Sequence, residues 1–280
     1  MTIPFPVEVL TEILTYTLAV HSSPTDILHV GLQILHQDLR FRSSLQLHRF
    51  TSCLRTSPLT CALLTLTLDI AGGASESMFP SLDSVFTQLT LDAACRKDNQ
   101  GRVVLNGLHL MLHSHMRDEN LHMVYVALSK AKYALCLLLR LYLRTHFSSP
   151  TKFIVPKAVS HLFRALSTYT NLLYLKLTNI TFFYSEPLVF PDIPSLRSFY
   201  LGQATFLPAA TVAAYLSLGS SALESVRLVD VYSESIWGPR LRKNDILAIL
   251  AEDKRNTVAT VLIVGAKTER IIGGDRVDSL

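Results

Sequence analysis

Charge is scarce in this chain, cysteine is scarce and scattered, and no apolar run is long and unbroken. Charged residues make up 17% of the 280, against roughly 25% in average soluble domains. The formal net charge is only +4, and the basic residues are dispersed, which argues against a nucleic-acid-binding chain. The one compact basic run, Arg240–Lys243, is expected to be a solvated loop or a helix start. Cys53, Cys61, Cys95 and Cys136 lie far apart with no C-x-x-C pair. That spacing excludes a zinc ribbon and a disulfide framework and favours a reducing compartment. The N-terminus carries Glu8 and Glu12 and has no basic lead, so no signal peptide is expected. The greasiest stretch, Ala134–Leu143, contains Arg140 and is about half the ~20 residues that a membrane span needs. These absences predict a soluble, intracellular protein, cytoplasmic or nuclear, with no membrane partner and no nucleic-acid partner.

Motifs for chemistry are missing as well. There is no G-x-S-x-G, no local Cys/His signature and no obvious carboxylate pair. Val264–Thr268 echoes the end of a phosphate loop but lacks the first glycine, on whose spacing the backbone cradle depends. His109, His113 and His115 alternate along one segment, with His122 just beyond. In an extended strand His109 and His113 stand about 13 Å apart, so only His113 and His115 could share an ion, and a third ligand is wanting. No metal, no cofactor and no enzymatic activity are expected.

What the chain does contain is apolar material, 49% of its residues, in a distinctive arrangement. In Asn171–Phe182 the residues Leu172, Leu175, Leu177 and Ile180 fall at spacings that fit neither a helix nor a plain strand. The order L-x-x-L-x-L-x-x followed by a small or apolar residue is similar to a leucine-rich repeat. Two echoes follow: Leu196, Phe199, Leu201 and Ala204 lie 24 residues on, and Leu223, Val226, Leu228 and Val231 lie 27 beyond those. Such intervals suit repeats of roughly 20–29 residues. Weaker copies are expected at Leu63–Leu68, at Leu105–Leu112, and at Val258, Val261, Ile263 and Ala266. Helix-period stripes separate them: Leu45, Phe50 and Leu54 ahead of Pro58; Leu82, Val85, Phe86 and Leu89; Leu121, Val124, Tyr125 and Leu128; Val159, Leu162, Phe163 and Leu166; and a helix over 245–251. Between Ile180 and Leu196, Pro187, Pro191 and Pro194 predict an extended connection instead. The expected fold class is therefore α/β, an irregular leucine-rich-repeat-like solenoid with parallel strands over residues 51–280.

Residues 1–50 are expected to form a short helical segment ahead of it. Val7, Leu10, Ile13, Leu14 and Leu18 make a helical stripe, with Pro6 suited to a first turn and Glu8 near the positive end of the dipole. Pro6, Glu8, Val9, Leu10, Glu12, Ile13 and Leu14, with Phe5 in the place of leucine, resemble the opening of an F-box, and Pro24–Leu28 resembles the start of its second helix. The resemblance covers residues 5–28; after His29 the segment is shorter than an F-box by about a helix. Together with the leucine-rich architecture, the chain is similar to the F-box-like proteins abundant in mushroom-forming fungi. That resemblance implies a Skp-type adaptor as partner and a role as substrate receptor of a cullin-RING ubiquitin ligase. Pro6, Glu8, Leu10, Ile13 and Leu14 would then lie on or under the adaptor face. The alternative is a leucine-rich scaffold with a degenerate F-box and no ligase role.

In an L-x-x-L-x-L strand the residues between the leucines face the open side. This places Tyr174, Lys176, Ser198, Tyr200, Ser225 and Arg227 on one surface, where tyrosine and arginine suit a protein-docking patch. Trp237, in Ser235–Arg240, is the single tryptophan and is expected to be either an exposed anchor or a cap folded back on the core.

Overall fold

An extended chain with a core on one side and water on the other needs apolar and polar residues in alternation, and strands such as Tyr174–Thr178 and Ser225–Val229 follow that rule. The structure is a computed structural model. It describes residues 36–56, 59, 61–71, 78–97, 103–113, 122–130, 136–141, 155–182, 189–218 and 222–267, without the side chains of residues 71, 111–113, 122, 136–141 and 155–158. Among the described residues eight strands form one sheet: β1 (Asp38–Phe41), β2 (Thr65–Ala71), β3 (Gly107–His113), β4 (Cys136–Leu141), β5 (Tyr174–Thr178), β6 (Ser198–Gly202), β7 (Ser225–Val229) and β8 (Leu262–Gly265). Every neighbouring pair is parallel, and the strands stand side by side in chain order.

Parallel neighbours require a crossover, and helices supply most of them. They are α1 (Ser44–Thr56), α2 (Met78–Leu91), α3 (His122–Lys130), α4 (Val155–Leu166), α5 (Ala209–Leu218), α6 (Lys243–Ile249) and α7 (Glu252–Val261). Consecutive helices touch one another from α1 to α4 and again from α5 to α7, forming a second layer over one face of the sheet. That face carries the core: Leu66, Leu68, Leu108, Leu110, Leu175, Leu177, Phe199, Leu201, Val226, Leu228 and Leu262 are buried. The helices meet it with the stripes read from the sequence, including Leu82, Val85, Phe86 and Leu89 on α2 and Val159, Leu162, Phe163 and Leu166 on α4, all buried. Most all-parallel sheets are covered on both faces. Here, on β5–β7, the residues alternating with the core set are half-buried or exposed, Gly202 apart, so no helix among the described residues covers the other face.

The three units built on β5, β6 and β7 repeat in backbone detail. At the strand starts one carbonyl accepts two N–H groups of the next unit: Leu173 from Arg197 and Ser198 (3.0 and 3.0 Å), and Arg197 from Glu224 and Ser225 (2.8 and 3.0 Å). Leu64 does the same for Asn106 and Gly107 (2.7 and 3.2 Å). At the strand ends the next residue adopts a left-handed conformation: Asn179 (φ 58°), Gln203 (φ 51°) and Asp230 (φ 53°). In that conformation the N–H groups of Asn179, Gln203 and Asp230 donate to the carbonyls of Gly202, Val229 and Gly265 (2.9, 2.8 and 3.0 Å). Asn and Asp tolerate positive φ, whereas glutamine pays the full Cβ penalty. Gln203→Gly is therefore expected to stabilise the fold by up to about 1 kcal/mol, read as a raised denaturation midpoint, while Asn179→Gly changes it less.

The β5–β6 connection contains no helix among its described residues, as the prolines predicted. An aromatic cluster fills the gap in the helical layer. Phe190 stacks its ring 5.5 Å from Phe163 on α4, 6.0 Å from Phe182, 5.5 Å from Phe199 on β6 and 5.4 Å from Tyr215 on α5. Further along the layer, the fully buried Tyr169 donates its hydroxyl to the Leu128 carbonyl at 2.9 Å, tying the end of α4 to α3.

The structure refines the sequence reading at five places. The apolar run over 135–143, whose type periodicity left open, supplies β4. The edge strand β1 and the start of α1 precede residue 51, where the repeat-like domain was expected to begin; β1 has four residues and only Leu39 and Phe41 to mark its inner side. The helix expected over 245–251 is α6, beginning at Lys243. The last copy is corrected in register. Val258 and Val261 belong to α7, Leu262 is the buried strand residue, and Ile263 is exposed. The helix α5, rich in alanine and with little amphipathic pattern, was not foreseen.

Candidate functional site

Because all strands are parallel and in register, residues of the same parity line up across the open face. The central row runs Arg40, Thr67, His109, Leu138, Lys176, Tyr200, Arg227 and Ile263. A second row places Tyr174 beside Ser198 and Ser198 beside Ser225. The six residues expected on one surface are thus brought together in two adjacent rows of β5–β7.

Their local geometry makes a platform. On β6, Gly202 lies two residues past Tyr200, and a Cβ built there would meet the tyrosine ring at 2.7 Å. The missing side chain lets the Tyr200 ring lie back along its strand. The Lys176 ammonium sits 5.0 Å from the ring centroid, a cation–π arrangement that favours a defined lysine position. Burial pushes the Tyr200 phenol pKa up, and the nearby Asp230 charge adds to the rise while Arg227 opposes it. Arg227 is exposed. At the start of the strands Arg197 and Glu224 form an exposed ion pair at 3.6 Å, which contributes little to stability.

At the other end of β7, Asp230 is 2% exposed and ion-pairs with Arg240 at 3.3 Å. Both its oxygens also accept the Lys267 N–H, at 3.2 Å each. Arg240 stacks over Tyr232, 5.9 Å from the ring centroid. The basic run is thus used internally: Leu241 is buried, the Arg242 N–H is capped by Asp245 at 2.9 Å, and Lys243 Nζ donates to the Ala259 carbonyl at 2.7 Å. Between the paired residues Tyr232 and Arg240 the chain makes a pinned loop. The Gly238 N–H donates to the Ser235 carbonyl at 2.9 Å. Trp237 projects from this loop with 76% of its surface exposed, beside the exposed Ile236. Of the two expected placements the structure has the outward one.

On the β1–β3 part of the face, charges are matched or shielded. Arg40 pairs with Asp69. Thr67 Oγ1 lies 3.3 Å from His109 Nδ1. Burial pulls the His109 pKa below its ordinary value, with Asp38 opposing the shift. The unfolded chain thus takes up the proton at a higher pH than the folded one, and stability is expected to fall as pH drops through about 6.5. Urea midpoints measured from pH 7.5 to 5 check this: His109→Gln flattens the pH dependence, and an unchanged slope refutes the assignment. The side chains of His113 and His122, and all of His115, lie outside the described residues. Among the described residues, no three His, Cys, Asp or Glu gather as metal ligands, and no helix is long and apolar enough to cross a membrane. Val264 and Gly265 are strand residues of β8.

Pro6, Glu8, Leu10, Ile13 and Leu14 lie outside the described residues. The residues that sequence reasoning missed are Gly202, whose role depends on a ring two positions away, and the Asp230–Arg240 pair. The left-handed turn that creates this pair carries no sequence signal beyond an aspartate after an apolar strand. No protein-family model matches the chain, and no curated protein sequence matches it.

Proposed function

We propose that this chain is a non-enzymatic protein–protein recognition subunit built as a leucine-rich-repeat-like solenoid. The observation that carries the reading is the one-sided parallel sheet, whose open face offers Tyr174, Lys176, Tyr200 and Arg227 in adjacent register rows. Trp237 in its pinned loop is a further contact residue. Tyrosine, tryptophan and arginine dominate interface hot spots because each gives large contact area and directional polar groups for little lost entropy. By the resemblance of residues 5–28 to an F-box, the subunit would act inside the cell, in cytoplasm or nucleus. It would present a bound protein to a cullin-RING ubiquitin ligase through a Skp-type adaptor, with Pro6, Glu8, Leu10, Ile13 and Leu14 at the adaptor face.

One observation favours a second reading, a scaffold with a degenerate F-box. The segment Asp38–Thr56, which an F-box of ordinary length would partly occupy, is used for β1 and α1. A pull-down decides between them. Full-length protein retained by an immobilised Skp adaptor, and lost on Leu10→Asp with Ile13→Asp, supports the ligase role. No retention while a standard F-box protein binds the same adaptor leaves the scaffold.

A further inference from the structure

The charges on the open face are unevenly balanced. On β1–β3 the arginine has its aspartate, Arg40 with Asp69. On β5–β7 the face residues include two cations, Lys176 and Arg227, and no acid. Neither cation has a carboxylate within ion-pair distance among the described residues, and Asp230, at the end of the same sheet, is buried and held by Arg240 and the Lys267 N–H. Tyr200 stands between the two cations in the same row, its ring lying over Gly202 and under the Lys176 ammonium.

Resting on the recognition reading above, we propose that the Lys176–Tyr200–Arg227 row seats an extended acidic segment of a partner protein. Its carboxylates meet the two cations while its backbone or a proline ring packs beside Tyr200. Lys176 and Arg227 belong to strands two places apart, about 10 Å at ordinary sheet spacing. A polyproline-II chain repeats its side chains every third residue at about 9 Å, so glutamates at i and i+3 of such a chain reach both cations. The two unmatched cations among the described side chains of this face are fewer than the roughly 6–10 phosphate contacts of a strongly salt-dependent nucleic-acid complex. Two cations of the basic run, Arg240 and Lys243, are held by Asp230 and the Ala259 carbonyl.

The test uses the full chain and fluorescence anisotropy with a labelled (Glu-Pro-Pro)3 peptide, its (Gln-Pro-Pro)3 counterpart and a labelled single-stranded oligonucleotide. The glutamate peptide is expected to bind at least about tenfold tighter than the glutamine peptide and tighter than the oligonucleotide. Lys176→Gln and Arg227→Gln each weaken it about tenfold, a loss of about 1.4 kcal/mol. Gly202→Ala, which displaces the Tyr200 ring without removing charge, weakens it several-fold. Arg49→Gln, an exposed cation on α1, leaves it unchanged. Thermal melts of each variant establish that the fold is retained. The proposal is overturned if wild-type protein binds neither peptide or both equally, if Arg49→Gln matches the face variants, or if the oligonucleotide binds tightest. The adaptor pull-down depends on the N-terminal segment and on neither cation, so failure here leaves that outcome untouched, and the reverse holds.

Discussion

Replacing Phe190 with alanine lowers the free energy of unfolding by about 3–5 kcal/mol, the range for large aromatic truncations in a core. The reason is position. Parallel strands β5 and β6 are joined without a helix among the described residues, so α4 and α5 flank a gap in the layer that covers the sheet. Phe190 stands in that gap, 7% exposed, with four aromatic rings at centroid distances of 5.4–6.0 Å. Removing it strips Phe163, Phe199 and Tyr215 of a shared contact, and backbone rich in proline has little freedom to collapse into the space. With total stabilities of roughly 5–15 kcal/mol for natural domains, such a loss removes a large share. Phe190→Leu, which keeps most of the volume, is expected to cost about half as much. Denaturant midpoints of the two variants check both figures, and equal midpoints for Phe190→Ala and wild type would refute the role. Lys176 and Tyr200, the residues proposed to meet a partner, are on the opposite face, so any binding lost at temperatures where the variant stays folded reports sheet distortion rather than a lost contact.

Asp230→Ala is expected to cost about 2–4 kcal/mol. Breaking a buried ion pair from one side typically costs 3–5 kcal/mol because the other charge is left unmatched; Arg240 retains 22% side-chain exposure and recovers part of that in water. Two further losses accompany it. The Lys267 N–H loses its acceptor, and alanine must adopt the positive φ that aspartate tolerates more readily. Asp230→Asn keeps an acceptor oxygen and the same backbone tolerance, so it should cost about half as much. Arg240→Met separates the terms: it removes the partner charge but leaves its stem packed on Tyr232. Unfolding free energies of the three variants are expected to place Asp230→Asn as the least destabilised, with Asp230→Ala and Arg240→Met, which leaves the 2%-exposed carboxylate unmatched, both costing more. An alanine variant within about 0.5 kcal/mol of wild type would show that the pair contributes nothing net.

Local spacing carried much of the fold. The steps between Leu172, Leu175, Leu177 and Ile180, and their echoes from Leu196 and Leu223, state which side chains face inward. Those strands stand where the spacing put them. The stripes of α2 and α4 were legible for the same reason: a helix facing one sheet must place its apolar residues at three- and four-residue steps. β1 was not legible, because two inward residues among four make no period. The helix α5 was not, because alanine is apolar enough to fit any face. Ala134–Leu143 was read as apolar but not as a strand, since a short continuous run has no period to read.

The candidate surface divides the same way. Alternation alone assigned Tyr174, Lys176, Ser198, Tyr200, Ser225 and Arg227 to one face, because side chains on a strand alternate by geometry and not by context. Only the tertiary structure decided which of them are neighbours, since register between strands is set by crossover lengths and by paired backbone hydrogen bonds distant in sequence. It decided that Lys176 lies over Tyr200, that Gly202 leaves room for that ring, and that Trp237 points outward. It also decided that the basic run at Arg240 serves an internal aspartate. Contacts of that kind join residues that no local period connects, and they exist only once the strands stand side by side.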